Sequence, residues 1–512
     1  MTTRPDRGRT TGSRSRRAVH AAQQRPWARL VNPYEPIRVA SEDQIEAMHL
    51  ASMDVLENLG IEFLGDAALD LFARAGATVD RGSKLVRMDR GLVLEAIAKA
   101  PAVFRLTPRN ADRWVAVGAN HVNFDSVGGP PNAADLDGGR RPGNFKDFLA
   151  FTRLSQSLNV CHTIGGVSIA PIDMPAETRH LDCYHVFLAE TDKVWHCSAL
   201  GRQRVADAVD MVCIARGLDR DGLKASPSIF STINCNSPRR YDGPMIDGLI
   251  ELATSGQATV VTPFTLSGAM SPATITGSLV QQNAEALAGL TLVQLAAPGA
   301  PCVYGGFTSN VDMKTGAPAF GTPEYTKACL VGGQLARRYG LPYRSSNTNA
   351  SNVPDAQAVY ESEMSLWGAV MGHANLVHHG CGWLEGGLTA SFEKAVLDAE
   401  MCQMMAAFLE PLAVDRDSLA LDAIAEVAPG GHFFGAAHTL ARYETAFYQP
   451  LVSDWRNFET WREGGGRDAT QRANAIWKEL LAAFEPPPLD PAVNEALAAF
   501  VARRKKQEEQ AA

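Results

Sequence analysis

Short β-rich runs alternate with helical patterns between about residues 162 and 448 of this chain. Each run leads into a loop of small residues and then into apolar residues at helical spacing. Alternation of this kind indicates βαβ units in a parallel sheet, and eight consecutive units predict an α/β fold with a closed (β/α)8 barrel. The predicted strands lie at 162–170, 193–200, 227–235, 258–266, 301–309, 342–348, 375–383 and 419–428. The predicted helices lie at 176–191, 202–216, 241–255, 278–297, 323–338, 355–372, 392–409 and 433–447.

The barrel leaves segments at both ends, because 512 residues exceed the roughly 250 of a minimal barrel. The pattern divides the chain into a disordered basic tail (1–34), an N-terminal helical and hairpin extension (35–160), the barrel (161–448) and a C-terminal helical extension (449–512). In the N-terminal extension, Ser41 and Gln44 have the spacing of a capping box. Turn-rich residues 121–141 predict a hairpin that covers one end of the barrel.

The composition of the chain argues against nucleic acid as a general partner and against a membrane span. The chain is 46% apolar, which is enough for a large core, and its net charge of −8 gives no general attraction to nucleic acid. A targeting or nucleic-acid-binding role for the basic tail is the alternative to simple disorder. No run approaches the ~20 apolar residues that span a bilayer. The nine cysteines form no CxxC pair, and no hydrophobic signal segment precedes them, so a reducing cytoplasm is expected.

Barrel enzymes carry their sites where the strands end, so the polar and aromatic residues at those positions are the candidates. The predicted substrate-binding residues are Asn234, Phe307, Asn310, Arg344, Asn347 and Trp383, and the predicted catalytic residues are His379 and Glu385. Aromatic faces beside an isolated carboxylate suit a quaternary ammonium group. Trp383 and Glu385 share a side-chain direction if their strand continues, and would then form two walls of an ammonium site.

The predicted strand 375–383 also allows a second, weaker interpretation, which is a metal site. His379 and Cys381 are two residues apart and would share a strand face. With a distant cysteine they could bind zinc. However, cysteines within strands usually belong to the core, and no second group has ligand spacing, so we expect no intrinsic metal.

Several motifs resemble one known family. They are 311–325 (VDMKTGAPAFGTPEY), 382–388 (GWLEGGL) followed by 392–400 (FEKAVLDAE), 339–342 (YGLP) with Arg344, 354–357 (PDAQ), and 431–433 (GHF) with His438 and Thr439. In this order, over about residues 35–485, the chain resembles the trimethylamine methyltransferase family. The resemblance implies a (β/α)8 barrel enzyme that transfers a methyl group from a methylated amine to the Co(I) of a corrinoid protein.

The resemblance also implies a branch within that family. Founding members carry pyrrolysine in the barrel, whereas this chain contains only the standard twenty residues. It therefore resembles the branch that demethylates quaternary amines such as glycine betaine. The implied partners are a small methylated amine and a cognate corrinoid-binding protein. The carboxylate of a betaine would need a donor, for which Arg344 and Asn347 are the candidates. A homo-oligomer is the default expectation for such an enzyme.

Two other functions are compatible with the strand-end residues. One is a barrel lyase or hydrolase that uses His379 or Glu385 as the base. The other is a barrel that binds methylated amines without catalysis. Methylation of cob(I)alamin by the purified protein, with candidate amines as donors, distinguishes both of them from a methyltransferase.

Overall fold

The computed structural model describes residues 24–511 and contains a closed barrel of eight parallel strands, each followed by a helix. Strands β1 to β8 are His121–Ser126, Cys161–Ile164, Val194–His196, Ile229–Ile233, Ala258–Val261, Cys302–Gly305, Tyr343–Ser346 and Leu376–Cys381. Helices α1 to α8 are Phe145–Ser157, Arg179–Glu190, Arg202–Arg216, Gly243–Thr254, Ile275–Ala296, Pro323–Arg338, Ala356–Met371 and Phe392–Phe408. Strand β1 pairs with both β2 and β8, which closes the ring. The predicted (β/α)8 barrel is confirmed.

The barrel begins one strand earlier than the sequence pattern predicts. Seven of the predicted strands are present, but 419–428 contains the helix Leu421–Glu426, and the predicted helix 433–447 is reduced to the short turns Phe433–Gly435 and Ala437–Leu440. The eighth strand is β1, which the pattern had placed in a hairpin outside the barrel. This strand escaped notice because it contains buried polar residues, Asn123, Asp125 and Ser126, and so lacks a continuous apolar run. Residue 161 is therefore not the start of the barrel.

An antiparallel hairpin closes the end of the barrel that lies opposite the carboxyl ends of the strands. Its strands are Val103–Leu106 and Val115–Gly118. Leu106, Val115 and Val117 pack in one apolar cluster with the inward-facing barrel residues Val194, Phe230, Ala258, Val260, Val303 and Leu376. The barrel interior at this end is thus filled with side chains, and only the other end can admit a ligand.

The remaining N-terminal elements pack around the barrel wall. The strand Leu30–Val31 pairs with β1, so residues 24–34 of the predicted tail are ordered, while residues 1–23 lie outside the described part of the chain. Helix Glu42–Asp54 begins with the predicted Ser41–Gln44 capping box and continues into a π-helical turn, Val55–Leu59. A small sheet completes this part, with the strands Ile61–Phe63, Thr78–Asp80, Leu85–Arg87 and Arg240–Tyr241. It is accompanied by the helices Asp66–Arg74 and Arg90–Ile97 and by the 3-10 turn Ala111–Arg113.

Two small sheets frame the open end of the barrel. One contains the hairpin Asn132–Asp135 and Gly139–Pro142 together with Trp383–Leu384 and Thr389–Ser391. The other contains Phe264–Ser267, Phe307–Val311 and Pro318–Ala319. The predicted turn-rich hairpin is therefore present at residues 132–142, after β1 has ended.

The C-terminal region contains the helices Arg416–Leu419, Leu421–Glu426, Ala437–Leu440, Phe458–Glu463, Ala469–Ala482 and Pro491–Ala511. Helix Ala469–Ala482 packs on α8, where Trp477 lies 4.9 Å from the ring of Phe392 and donates to Glu393. Helix Pro491–Ala511 packs on α2 and α3, where Lys505 pairs with Asp182 of α2 and Arg504 pairs with the buried Asp207 of α3. Within residues 24–511, no helix is both long enough and apolar enough to span a bilayer.

The closure of the barrel depends on Asn375, a buried residue just before β8. Its amide Nδ2 donates to the carbonyls of Ala119 and His121, and its Oδ1 accepts from the amide of Tyr343. Asn375→Ala leaves these three backbone groups unpaired, so the free energy of unfolding should fall by about 2–4 kcal/mol in urea denaturation. Asn58→Ala, at an exposed asparagine, is the control. A loss below about 0.5 kcal/mol for Asn375→Ala, the range of ordinary surface substitutions, would contradict this role.

Candidate active site

A cavity of about 560 Å³ opens at the carboxyl ends of the barrel strands. Its polar and charged lining includes residues at the strand ends and, from helices α2 and α3, Arg179, His180 and Arg204; the strand-end residues are His196, Thr232, Asn234, Thr262, Arg344, His378 and His379. Its aromatic lining consists of Phe264, Phe307 and Trp383. No lining residue in the described chain is an aspartate or a glutamate. The cavity therefore combines aromatic faces with basic and neutral polar groups.

The aromatic wall is built by neighbouring strands that extend beyond the barrel. Phe264 and Phe307 are direct partners in a parallel pair, and their ring centroids are 5.1 Å apart. Trp383 lies 6.0 Å from Phe307, and Phe320 packs edge-on behind both rings. Such faces carry partial negative charge and attract a cation without offering it a hydrogen bond.

Arg344 is the buried cation of this cavity, which Arg179 and Arg204 also line as partly buried side chains. It lies on β7, its side chain is almost fully buried, and the described residues offer it no carboxylate partner within ion-pair distance. One guanidinium nitrogen donates weakly to the carbonyl of Gly306 at 3.4 Å, while Nε has no partner. The guanidinium also lies 5.4 Å from the centroid of the Phe307 ring. Burial lowers the pKa of Arg344, but an arginine side chain stays protonated in proteins.

A bulge in β8 brings two consecutive histidines to the cavity. Successive strand residues normally face opposite sides, but His379 has a φ of +58° and the register with β1 shifts between Val377 and Cys381. His378 and His379 therefore both line the cavity. A left-handed conformation at a non-glycine residue costs free energy and is commonly retained at functional sites.

Three of the four cavity histidines, those on or directly beside the barrel strands, are held by the following hydrogen bonds. His378 donates from Nδ1 to the buried carboxylate of Asp125, which also accepts from Thr163. His196 accepts from the amide of Thr232 at Nε2, and His379 accepts from the amide of Gly128 at Nδ1. These bonds assign the tautomer of each ring, because a nitrogen that accepts from a backbone N–H carries no hydrogen.

Burial keeps these histidines neutral. It lowers the pKa of His196 to about 3, with a further contribution from His378 and Arg344. Burial also lowers the pKa of His378, although Asp125 opposes the shift. The pKa of His379 lies well below its usual value for the same reason, with His378 and Arg344 adding to the effect. At neutral pH the positive charge of the cavity therefore comes from its arginines, of which Arg344 is the buried one, with Asp125 behind His378.

Five of the eight predicted site residues line this cavity: Asn234, Phe307, Arg344, Trp383 and His379. Asn310 does not, because it is three positions after Phe307 on one strand and so faces the other side, where it accepts from Thr322. Asn347 is also outside the lining. Its amide is fully buried and donates to the carbonyl of Gly380 and to Asp398, which ties the ends of β7 and β8 to α8.

Glu385 does not form a wall with Trp383 as the alternation predicts. The strand ends at Leu384, and Glu385 has a φ of +56°, which breaks the alternation. Its carboxylate forms an ion pair with Arg140 of the hairpin at 2.7 Å and accepts from Thr389. Hydrogen bonding from Arg140 lowers the pKa of Glu385. The Glu385 carboxylate therefore lies at the rim and does not line the cavity.

The site residues that sequence reasoning missed are Asp125, His196, Phe264 and His378. Asp125 was hidden by the assignment of β1 to a hairpin, and His378 by the alternation of a regular strand, which turns it away from the face of His379. Cys381 contacts Cys161 and Cys402 in the core and does not line the cavity with His379. Across residues 24–511, no three histidine, cysteine or acidic side chains converge in an arrangement that could hold a metal.

Comparison with known proteins identifies the family of this barrel. The family model described as trimethylamine methyltransferase matches residues 6–509. The chain belongs to the trimethylamine methyltransferase family. The resemblance carried by the sequence motifs is thereby confirmed, and so is the predicted class of enzyme, a methyltransferase.

Relatives within the family include a glycine betaine methyltransferase of Desulfitobacterium hafniense, 36% identical over 92% of this chain and 97% of the relative. A trimethylamine methyltransferase of the same species is 29% identical over 90% and 92% of the two chains. Among solved structures, the monomethylamine methyltransferase of Methanosarcina barkeri superposes with a TM-score of 0.47 and 9% identity, over 90% of this chain and 91% of the other.

The buried neutral histidines make stability depend on pH. The unfolded chain protonates its imidazoles below about pH 6.5, whereas the folded protein does not, so the free energy of unfolding should be highest above that pH and fall toward about pH 5. His196→Gln keeps an acceptor for the amide of Thr232 and removes one titrating ring. It should reduce this slope by about 1.4 kcal/mol per pH unit, measured by urea unfolding across that range. An unchanged slope, or an NMR titration of His196 near its ordinary pKa, would refute the assignment.

Proposed function

We propose that this methyltransferase removes a methyl group from a quaternary ammonium carboxylate of the betaine class and delivers it to the Co(I) of a corrinoid held by a partner protein. The observation that carries the proposal is Arg344, a buried guanidinium at the cavity without a carboxylate partner among the described residues. A buried charge is costly unless it is paired. The carboxylate of the substrate is the missing partner.

The charge of the cavity separates classes of substrate. A methylated amine that carries only positive charge would be repelled by Arg344, and the neutral histidines offer no negative charge in compensation. A zwitterionic betaine brings its own carboxylate, so its binding leaves no charge unpaired at Arg344. The 36% identity to a glycine betaine methyltransferase supports the same class of substrate.

The aromatic wall supplies the second contact. Phe307 lies beside both the guanidinium of Arg344 and the rings of Phe264 and Trp383. A carboxylate on Arg344 therefore directs the ammonium of a short betaine toward these aromatic faces. A quaternary nitrogen has no N–H, so cation–π attraction and close packing are the interactions available to it.

The reaction is a nucleophilic displacement at an N-methyl carbon. The C–N bond breaks with its electron pair on nitrogen, so the demethylated amine leaves as a neutral group and no proton is required. The corrinoid, when its protein is docked, supplies the cobalt nucleophile that receives the methyl group. The part of this chain is to hold the substrate in line and to exclude water, which contribute through orientation and electrostatics.

Two glycines lie at the rim of the cavity, where a corrinoid delivered from outside would have to approach. Gly129 and Gly386 line this rim, and a Cβ at Gly129 would meet no atom within 4 Å, which leaves open space at the entrance. Gly305 and Gly306 serve a different purpose, because a side chain there would clash with Thr262 and Gln282 inside the wall.

The competing functions have less support at this site. A lyase or hydrolase that uses Glu385 as its base would need that acid in the cavity, whereas its carboxylate is paired with Arg140. His379 already uses its Nδ1 lone pair to accept from Gly128. The methyltransferase names of the relatives also disfavour a barrel that only binds amines.

Arg344→Gln tests the substrate class. With cob(I)alamin as the acceptor, the wild-type protein should use glycine betaine about 100-fold more efficiently than choline, which has the same ammonium group but no carboxylate. The variant should lose about 100-fold in kcat/KM for glycine betaine and little for choline. An equal loss for both substrates would assign Arg344 to folding. A wild-type preference for choline or trimethylamine would reject the betaine proposal.

Glu385→Gln distinguishes a rim role from the ammonium-binding role that strand alternation predicts. Since the carboxylate contacts Arg140 outside the cavity, the substitution should change kcat/KM for glycine betaine less than about threefold. Arg140→Gln is the matched control, because it removes the same ion pair from the other side. A loss of about 10-fold to 100-fold with Glu385→Gln alone would restore the carboxylate to the substrate site.

A further inference from the structure

Residues 411–447, which we term the arm, extend from the barrel with their apolar side chains in solvent. Only Ala423 and Ala436 are buried in this stretch. Ten large apolar side chains are exposed, among them Leu412 (89%), Phe434 (82%) and Phe447 (79%). The arm includes 419–428, whose hydrophobic pattern resembles that of a buried strand. A segment this apolar is expected to be covered by something.

The exposed area is large enough for a stable contact between proteins. A folded monomer rarely shows an apolar patch beyond about 300–600 Å². Ten such side chains present on the order of 1,000 Å², since a single aromatic ring can bury about 150–250 Å². A standard protein interface buries about 800 Å² on each partner. The arm alone therefore supplies the apolar surface that such an interface requires.

A second exposed apolar area lies close to the root of the arm. Tyr360, Met364 and Trp367 occupy one face of α7 at helical spacing, and Met404 and Phe408 occupy one face of the neighbouring α8. The rings of Trp367 and Phe408 meet edge to face at 5.0 Å. We term these five residues the strip. They remain at least 37% exposed, so the arm of the same chain does not cover them.

We propose that the arm of one chain packs on the strip of a second copy of the same chain, and that the contact is reciprocal. Both surfaces are present in every copy, as an isologous dimer requires. Helix α8 runs opposite to the barrel strands, so the arm leaves at the end of the barrel away from the cavity. A partner that delivers a corrinoid has to face the cavity instead, which argues against that partner as the occupant.

The proposed contact does not depend on the charges of the arm. Arg416 pairs with Asp422, and Arg442 pairs with Asp417 within the arm itself. Both arginines of the arm are thus paired within it, whereas Asp415, Glu426 and Glu444 have no ion-pair partner among the described residues, so the proposed contact rests on the apolar side chains rather than on charge.

The experiment is sedimentation velocity of the full-length protein. The wild-type protein should be a dimer or a larger closed assembly at about 10 μM, well above the dissociation constant of a typical stable interface. Phe434→Ser with Phe447→Ser in the arm, or Met364→Lys with Met404→Lys in the strip, should each raise the dissociation constant about 100-fold or more. Leu59→Ser, at an exposed leucine outside both surfaces, should leave the assembly unchanged. Circular dichroism confirms that each variant is folded.

Cross-linking then tests the pairing of the two surfaces. Eight of the nine cysteines are buried and Cys213 is partly buried, so introduced thiols can be addressed selectively. Phe434→Cys protein mixed with Met364→Cys protein should form a mixed cross-linked dimer after subunit exchange. A monomeric wild-type protein, an assembly insensitive to the arm and strip substitutions, or thiol cross-links only between two arms would each overturn the proposal. So would a folded arm variant that keeps its assembly but loses turnover only with the corrinoid protein.

Discussion

The seam between the first and last barrel strands is the constraint on which the site depends. Asp125 on β1 accepts hydrogen bonds from His378 on β8 and from Thr163 on β2, so one buried carboxylate joins three adjacent strands. The same contact holds the His378 ring at the cavity. The bulge at His379, the next residue of β8, turns a second imidazole toward the same space. The contacts of Asp125 that close the barrel thus also position a histidine of the cavity.

The electrostatic arrangement of the cavity follows from the same burial. Desolvation keeps the imidazoles of His196, His378 and His379 neutral, whereas a guanidinium cannot lose its proton under ordinary conditions. Burial therefore removes the charge of the histidines and leaves that of Arg344. A buried cation beside aromatic faces supports the proposal of a ligand whose two ends carry opposite charges.

The sequence predicts the barrel well because helices and apolar strands alternate with a clear period. The prediction fails for the first and the last predicted strand for a common reason. A pattern of apolar residues indicates that a segment is suited to burial, but it does not show which part of the protein covers that segment. Strand β1 contains Asn123, Asp125 and Ser126, whose polar groups are satisfied inside the protein, so it lacks the expected signal. Residues 419–428 carry the signal without the strand, because their apolar side chains face away from their own barrel.

At the site, side-chain alternation predicts correctly only while a strand remains regular. It places Phe307 and Trp383 at the cavity, but it cannot anticipate the left-handed residues His379 and Glu385, where the direction of the chain changes. Arg344 is found because a lone arginine among amides and aromatic rings is conspicuous in sequence. Asn347 has a similar appearance, yet it serves the packing of strand ends through Asp398. Residue type suggests a role, whereas local backbone geometry decides it.

The hairpin that fills the far end of the barrel has a consequence for the order of events in catalysis. Because Leu106, Val115 and Val117 occupy that end, amine and corrinoid have to share a single entrance. If the corrinoid protein covers this opening when it docks, as the proposed function requires, the amine has to enter first and the demethylated product can leave only after that protein has withdrawn. Such a geometry imposes a compulsory kinetic sequence, in which excess corrinoid protein slows turnover by holding an empty enzyme closed.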